Sequence, residues 1–336
     1  MAREVAEIPE VAARFLGRSA EAVAAAAAAM RLADPALLVT VARGSSDHAA
    51  TYLKYAVELV AGVPVASVGP SIASIYRRPL KLANAACIGI SQSGQSPDIV
   101  EMIRAVAAGG ALTIAVTNDA ESPMARASAQ CLTLQAGTER SVAATKTFVT
   151  SVLAGLSLLA EWQDDVGLRG AVAAAPDAFG KALDLDWSPL AARLSRAQSL
   201  YVLGRGPAFA IASEAALKFK ETCGLHAESF SAAEVLHGPS AIVQARFPVL
   251  ALGVQDAALS QVKATAARLA AQGADVFLTG GEAEGAVTLP SVAGLHPLLA
   301  PLVLSVAFYA FIEALAWRRG FDPDLPPHLR KVTETL

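Results

Sequence analysis

Cysteine and clustered positive charge are both scarce in this sequence of 336 residues. The three cysteines, Cys87, Cys131 and Cys223, form no CxxC pair and have no Cys/His spacing of the zinc-binding kind. This excludes a disulfide framework and predicts reduced thiols in a cytoplasmic protein. The net charge is −3 and no Lys/Arg cluster compensates for it, so we expect no nucleic acid partner.

Several catalytic and cofactor motifs are also missing. The sequence has no HExxH, no Walker GxxxxGK[ST], no GxSxG elbow and no GxGxxG in the right context, so we expect neither a metal nor a nucleotide cofactor. One stretch, residues 297–317, approaches the length of a membrane span and carries only Glu313 as a charge. Because no second span accompanies it, we interpret this stretch as a buried core helix and expect no membrane partner.

Strand and helix patterns alternate along the chain and then repeat. After a helical region at about residues 5–32, the strand "LLVTV" is followed by a helix over residues 48–60, and "ACIGI" by a helix over residues 97–108. In the second half, "SLYVLGRGP" resembles "LLVTVARGS" and "PVLALGVQD" resembles "ACIGISQSG" at nearly equal offsets. Alternating elements predict parallel sheets, and the offsets indicate an internal duplication.

A loop rich in hydroxyl and amide groups lies where the strand "ACIGI" gives way to a helix. In "SQSGQSP", Ser96 suits the N-cap and Pro97 the first helical position, so amide groups of the first turn are available to an anion. A second set of donors, "RGSS" at residues 43–46, ends the preceding strand. These residue types predict a phosphate site without fixed charge, although such loops are also common connectors.

These stretches resemble the sugar isomerase (SIS) family, in particular the isomerase half of glucosamine-6-phosphate synthase and the related deaminases. The resemblance covers nearly the whole chain and is most specific in "EAALKFKETCGLHAESFSAAEVLHGP" and "LRKVTETL". It implies two tandem SIS domains, each a parallel sheet flanked by helices in a three-layer, flavodoxin-like α/β/α arrangement. The expected domains are residues 1–165, residues 166–325 and a tail of residues 326–336.

The resemblance also implies a site for a sugar 6-phosphate. Its binding residues would be Ser45, Ser46, Ser91, Gln92, Ser93, Ser96 and Val142. Ala144 stands where the synthases usually have serine, and Ser96 where they have threonine.

For the chemistry, the resemblance implies Glu221 as the base that moves a proton between C1 and C2 of the open-chain sugar. His237 would assist ring opening from the neighbouring subunit of a homodimer, and Lys331 would reach the substrate carbonyl. From the residues alone, the favoured interpretation of Glu221 is a solvated surface glutamate paired with Lys218 or Lys220. Without the resemblance, His237 is an ordinary loop histidine and Lys331 belongs to a solvated tail.

The synthase reaction requires a glutaminase domain with cysteine directly after the initiator methionine, whereas the second residue here is Ala2. We therefore predict the ammonia-releasing reaction, from glucosamine 6-phosphate to fructose 6-phosphate. Another phosphosugar isomerase or a deglycase for sugar-amine phosphates is an alternative within the same chemistry. A non-catalytic sugar-phosphate sensor is an alternative of another class.

Overall fold

The structure is a computed structural model that describes residues 1–331, and its residues group into two compact units. The N-terminal unit comprises Glu7–Glu139, Lys146–Ala174 and, at the end of the described chain, Arg330 and Lys331. The C-terminal unit comprises Met1–Ala6, Arg140–Thr145 and Ala175–Leu329. Its first helix, α1 (Ala2–Ala6), packs against the last helix of the same unit.

The N-terminal unit is built on one parallel sheet. Its strands are β1 (Leu37–Val41), β2 (Val65–Ser67), β3 (Ala85–Ile90), β4 (Leu112–Thr117) and β5 (Gln130–Thr133), in the order β2-β1-β3-β4-β5. Its helices are α2 (Ile8–Arg18), α3 (Ala20–Ala33), α4 (Ser45–Val60), α5 (Ser71–Ser74), α6 (Pro97–Ala108), α7 (Pro123–Arg126), α8 (Lys146–Trp162) and α9 (Val166–Ala173). This order is that of the flavodoxin-like doubly wound sheets.

The C-terminal unit repeats this topology. Its strands are β6 (Ser199–Gly204), β7 (His226–Ser231), β8 (Pro248–Ala251), β9 (Asp275–Leu278) and β10 (Ala286–Thr288), and they lie in the order β10-β9-β8-β6-β7. Its other helices are α10 (Ala175–Leu183), α11 (Ser188–Leu194), α12 (Pro207–Cys223), α13 (Leu259–Ala271) and α14 (Ala300–Arg318). Two parallel sheets flanked by helices confirm the predicted fold class and the duplication.

The region predicted to be helical, at about residues 5–32, is helical in the structure and is divided into α1, α2 and α3. Pro9 in the first turn of α2 suits a helix start, since a proline there sacrifices no helical hydrogen bond. At the next break, the Ser19 hydroxyl donates to the Thr133 carbonyl at the end of β5. This hydrogen bond holds the chain at the break between α2 and α3. The alanine-rich sequence pattern gives no sign of the break.

The two long apolar helices are core elements. Every residue of α8 except Glu161 is buried. Helix α14 is the one helix in residues 1–331 that is long and apolar enough to cross a membrane, yet 78% of its most apolar window is buried within the protein. Burial of this kind is typical of a core helix and agrees with our interpretation of residues 297–317.

Candidate functional site

The two predicted donor loops follow neighbouring strands of the N-terminal sheet. Ser45 and Ser46 form the start of α4 after β1, while Ser91 to Ser96 connect β3 to α6. Strands β1 and β3 pair side by side as far as Val41 and Gly89, near their carboxyl ends. Because the strand order reverses at β1, the loops meet at the topological switch point, where open α/β sheets bind ligands.

Hydrogen bonds within the serine loop direct its hydroxyl groups. The Ser91 Oγ accepts from the Gly94 amide at 3.1 Å, and the Ser93 Oγ accepts from the Gln95 amide at 3.3 Å. A serine oxygen that accepts from the backbone still has its hydrogen to donate. Gly94 permits this tight turn because its φ is 61° and an added Cβ would lie 2.3 Å from Ser122 Oγ. The loop therefore presents hydroxyl donors on a rigid turn.

Helix α6 begins as predicted, with Ser96 as its N-cap and Pro97 as its first residue. The Ser96 hydroxyl makes no capping bond to the first turn. The first turn also contains Asp98, whose side chain is 1% exposed and pairs with Arg43 across 3.0 Å from Nη2 to Oδ2. Sequence analysis missed this ion pair, which neutralises a buried carboxylate beside a predicted phosphate site and ties the two loops together.

Gln92 lines an open cleft of about 470 Å³ in the N-terminal unit. The other residues that line this cleft include Arg14, Arg18, Asn118, Gln135 and Glu139. The Glu139 carboxylate accepts from Lys331 Nζ at 2.8 Å. Among the predicted residues, Gln92 thus lines the same cleft as the partner of Lys331.

Glu221 lies near the end of α12 in the C-terminal unit. Its carboxylate binds Lys218 Nζ at 2.7 Å, and Lys218 also binds Glu214 at 3.1 Å. The Tyr309 hydroxyl of α14 donates to Glu214 at 2.8 Å. Lys218 is 0% exposed and Glu221 20%, so the pair is not the solvated surface pair that the residues alone allowed.

The electrostatics of this cluster hold Lys218 in its charged form. Burial by itself would lower the pKa of Lys218, but the adjacent carboxylates of Glu214 and Glu221 outweigh burial and raise that pKa above its ordinary value. A permanent ammonium beside Glu221 fixes the orientation of its carboxylate. The sequence spacing of three residues indicated Lys218 as a partner of Glu221. The hydrogen bond from Tyr309 to Glu214 joins residues far apart in sequence and was not predictable from it.

The remaining predicted residues are on separate segments of the C-terminal unit. His237 is exposed at the end of a 3₁₀ turn, Glu234–His237. Val142 is partly buried in the segment Arg140–Thr145, which groups with the C-terminal unit. Within residues 1–331, the structure thus brings the two serine loops together in the N-terminal unit. In the C-terminal unit it brings Glu221 together with Lys218, Glu214 and Tyr309.

Comparison with known proteins supports the resemblance. The chain is 33% identical, over an alignment of 351 positions, to a glutamine–fructose-6-phosphate aminotransferase of Aeropyrum pernix, and the alignment covers 98% of this chain and 56% of the relative. The chain thus spans about half the length of the curated relatives that it matches.

Solved structures agree with the fold. A proposed phosphosugar isomerase from Silicibacter pomeroyi DSS-3 superposes with a TM-score of 0.94 at 52% identity, covering 96% of this chain and 99% of that one. The C-terminal domain of the Francisella tularensis glucosamine-fructose-6-phosphate aminotransferase superposes with a TM-score of 0.84 at 25% identity, covering 96% and 97%. A Thermotoga maritima glucosamine-6-phosphate deaminase, 20% identical with a TM-score of 0.78 and 99% of each chain covered, shares the fold.

The family model for the SIS domain matches twice, over residues 31–160 and 193–291. The first match contains both donor loops and the second contains Glu221 and His237. With its duplicated sheets and these matches, the chain belongs to the SIS domain family.

Proposed function

We propose that this protein is an aminosugar-phosphate deaminase that converts glucosamine 6-phosphate and water into fructose 6-phosphate and ammonia. The observation that carries this proposal is the pair of hydroxyl-rich loops at the switch point of the N-terminal sheet. Their serine donors and the first turns of α4 and α6 suit a phosphate group. The SIS domains of the chain and its phosphosugar-isomerase neighbour support a sugar as the remainder of the ligand.

The chemistry we propose is a proton transfer followed by hydrolysis. Glu221 removes the proton from C2 of the open-chain aminosugar and returns it to C1, while one amine proton is lost and the C1 oxygen gains one. The C1 aldehyde thereby becomes a hydroxymethyl group and the C2 amine an imine. Water adds to the imine carbon, and ammonia leaves to give the C2 ketone. Water is the only co-reactant of this sequence.

Three further groups complete the proposal. His237, exposed on its turn, would act in the site of a second subunit and carry a proton during ring opening. Lys331 would meet the substrate carbonyl, and Val142 would line the sugar. The protein would accordingly be a homodimer, and the three unpaired cysteines agree with a cytoplasmic location.

The test is ammonia release from purified protein with a panel of 6-phosphorylated sugars: glucosamine, galactosamine, N-acetylglucosamine and a fructosyl amino acid. We expect turnover of glucosamine 6-phosphate and none of unphosphorylated glucosamine. Release of an amino acid would instead identify a deglycase, and aldose–ketose conversion without ammonia another isomerase. Binding without any turnover would identify a sensor.

We expect Glu221→Gln to abolish turnover and leave the affinity for glucosamine 6-phosphate within about threefold, because the amide keeps the shape and removes the base. Glu284→Gln, at an exposed glutamate of the same unit, is the matched control and should retain full activity. Calorimetric titration and ammonia assays measure the two quantities. A parallel loss of binding in Glu221→Gln would contradict the role of base.

A further inference from the structure

The carboxylate of Glu139 is a buried anion with an unusually complete set of donors. Its side chain is 0% exposed. One oxygen accepts from the Thr147 amide at 3.2 Å, and the other accepts from the Thr147 hydroxyl at 2.7 Å and from Lys331 Nζ at 2.8 Å. Donors to both oxygens stabilise the ionised form of a carboxylate.

This anion is fixed independently of the C-terminal segment. Thr147 lies in the first turn of α8, a helix of 17 residues, so the carboxylate also faces the positive end of the helix. The neighbouring cation Lys146 has its own acceptors, since its Nζ donates to Glu7 at 2.6 Å and to the Thr138 carbonyl at 2.8 Å. The Glu139 carboxylate is therefore a preformed receptor for a cation that arrives from elsewhere in the chain.

The cation that arrives is Lys331, which is 192 positions away in sequence. Its side chain is 23% exposed, so the ion pair lies at the border between interior and solvent. Glu139 also lines the cleft that contains Gln92 of the serine loop. Lys331 is therefore hydrogen-bonded to one of the residues that form the wall of that cleft.

We infer that Glu139 is the positioning residue for Lys331, anchoring the end of the chain so that the lysine amine stays beside the cleft that Gln92 lines. The inference that Glu139 anchors this end of the chain is argued from the Glu139–Lys331 ion pair and does not depend on the proposed function. The effect of this anchoring on catalysis rests on the proposed function, in which Lys331 meets the substrate carbonyl.

Hydrogen exchange of the whole protein tests the anchoring without any substrate. In Glu139→Gln, the backbone amides of Leu325 and of residues 328–331 should exchange about fivefold faster or more than in the wild type. The reason is that the partly buried ion pair is lost while the side-chain amide of the variant can still bind Thr147. Lys331→Ala should give the same acceleration. The matched control is Glu7→Gln, which removes the other ion pair at the start of α8 and should leave this segment unchanged. Equal exchange in Glu139→Gln and wild type would overturn the inference.

Kinetics test the positioning. Glu139→Gln should lower kcat about 10-fold to 100-fold and change KM for glucosamine 6-phosphate by less than about threefold. The double variant Glu139→Gln/Lys331→Ala should be no slower than Lys331→Ala alone, because Glu139 acts through the lysine. Additive losses would overturn the positioning role. If the wild type shows no turnover, the proposed function is wrong. The hydrogen-exchange measurement would still test whether Glu139 anchors Lys331.

Discussion

At the scale of single residues, the serine loop offers neutral donors to a phosphate next to a buried carboxylate. A phosphate dianion at the start of α6 would face the buried carboxylate of Asp98, but Arg43 pairs with that carboxylate and neutralises it. Ser91 and Ser93 accept from the backbone of their own turn and keep their hydrogens for a ligand. Neutral donors on a fixed turn can then hold the dianion without a further cation.

Ser93→Ala should weaken the affinity for glucosamine 6-phosphate by about 1–3 kcal/mol, because a donor to a charged oxygen is lost. Isothermal titration measures the change. Ser128→Ala is the control, since this partly buried hydroxyl lies outside the two donor loops of the same unit and donates to the Met124 carbonyl. An unchanged affinity in Ser93→Ala would remove this residue from the phosphate site.

The three cysteines should differ in reactivity. Burial raises the pKa of the Cys87 thiol to about 12 and that of Cys223 to about 11, so at pH 8 both are thiols rather than thiolates. Burial also raises the pKa of Cys131, but this side chain is only partly buried. We expect iodoacetamide to alkylate Cys131 first, as measured by peptide mass spectrometry. Faster labelling of Cys87 in the folded protein would contradict this order.

At the scale of secondary structure, local signals were sufficient for some elements and not for others. Ser96 as N-cap and Pro97 as first helical residue are local signals, so the beginning of α6 was predictable from the sequence. The Arg43–Asp98 and Lys331–Glu139 pairs join residues far apart in sequence, and no local period contains them. Whether a glutamate near a lysine is solvated, as in the case of Glu221, depends on packing by other elements such as α14.

Helix α12 shows this dependence, because its Lys218 is buried between two carboxylates. The pKa of Lys218 is raised in the folded protein, so its contribution to stability is complete at neutral pH and is lost as the pH rises beyond its ordinary value of 10.5. Lys218→Met should cost about 3–5 kcal/mol in the free energy of unfolding at pH 7, since two carboxylates lose their cation.

Wild-type protein should lose free energy of unfolding at alkaline pH as Lys218 is deprotonated. The Lys218→Met variant should not show this part of the loss. Lys220→Met, at an exposed lysine of the same helix, should retain this decline. Urea unfolding between pH 7 and the alkaline range measures both effects. An identical alkaline decline in the Lys218 variant and wild type would show that another group causes it.

For the whole molecule, the two units share a backbone design and differ in the chemistry of their loops. Gly44 precedes α4 with φ 54° and ψ −133°, and Gly206 precedes α12 with φ 58° and ψ −137°. After β3 the chain has Ser91, Gln92 and Ser93, whereas after β8 it has Gln255, Asp256 and Ala257. Duplication thus preserved the turn that starts each helix, and the donor loops are found only in the first copy.

This comparison gives a matched pair of substitutions. A Cβ at either Gly44 or Gly206 would meet nothing within 4 Å, so alanine there is costly only through its backbone conformation, by about 1–3 kcal/mol. Gly44→Ala and Gly206→Ala should therefore lower Tm by similar amounts in thermal unfolding. Only Gly44→Ala should also weaken binding of glucosamine 6-phosphate in calorimetric titration, because a shifted turn displaces Ser45 and Ser46. A similar loss of affinity in Gly206→Ala would mean that the loops of the N-terminal unit are not what holds the phosphate.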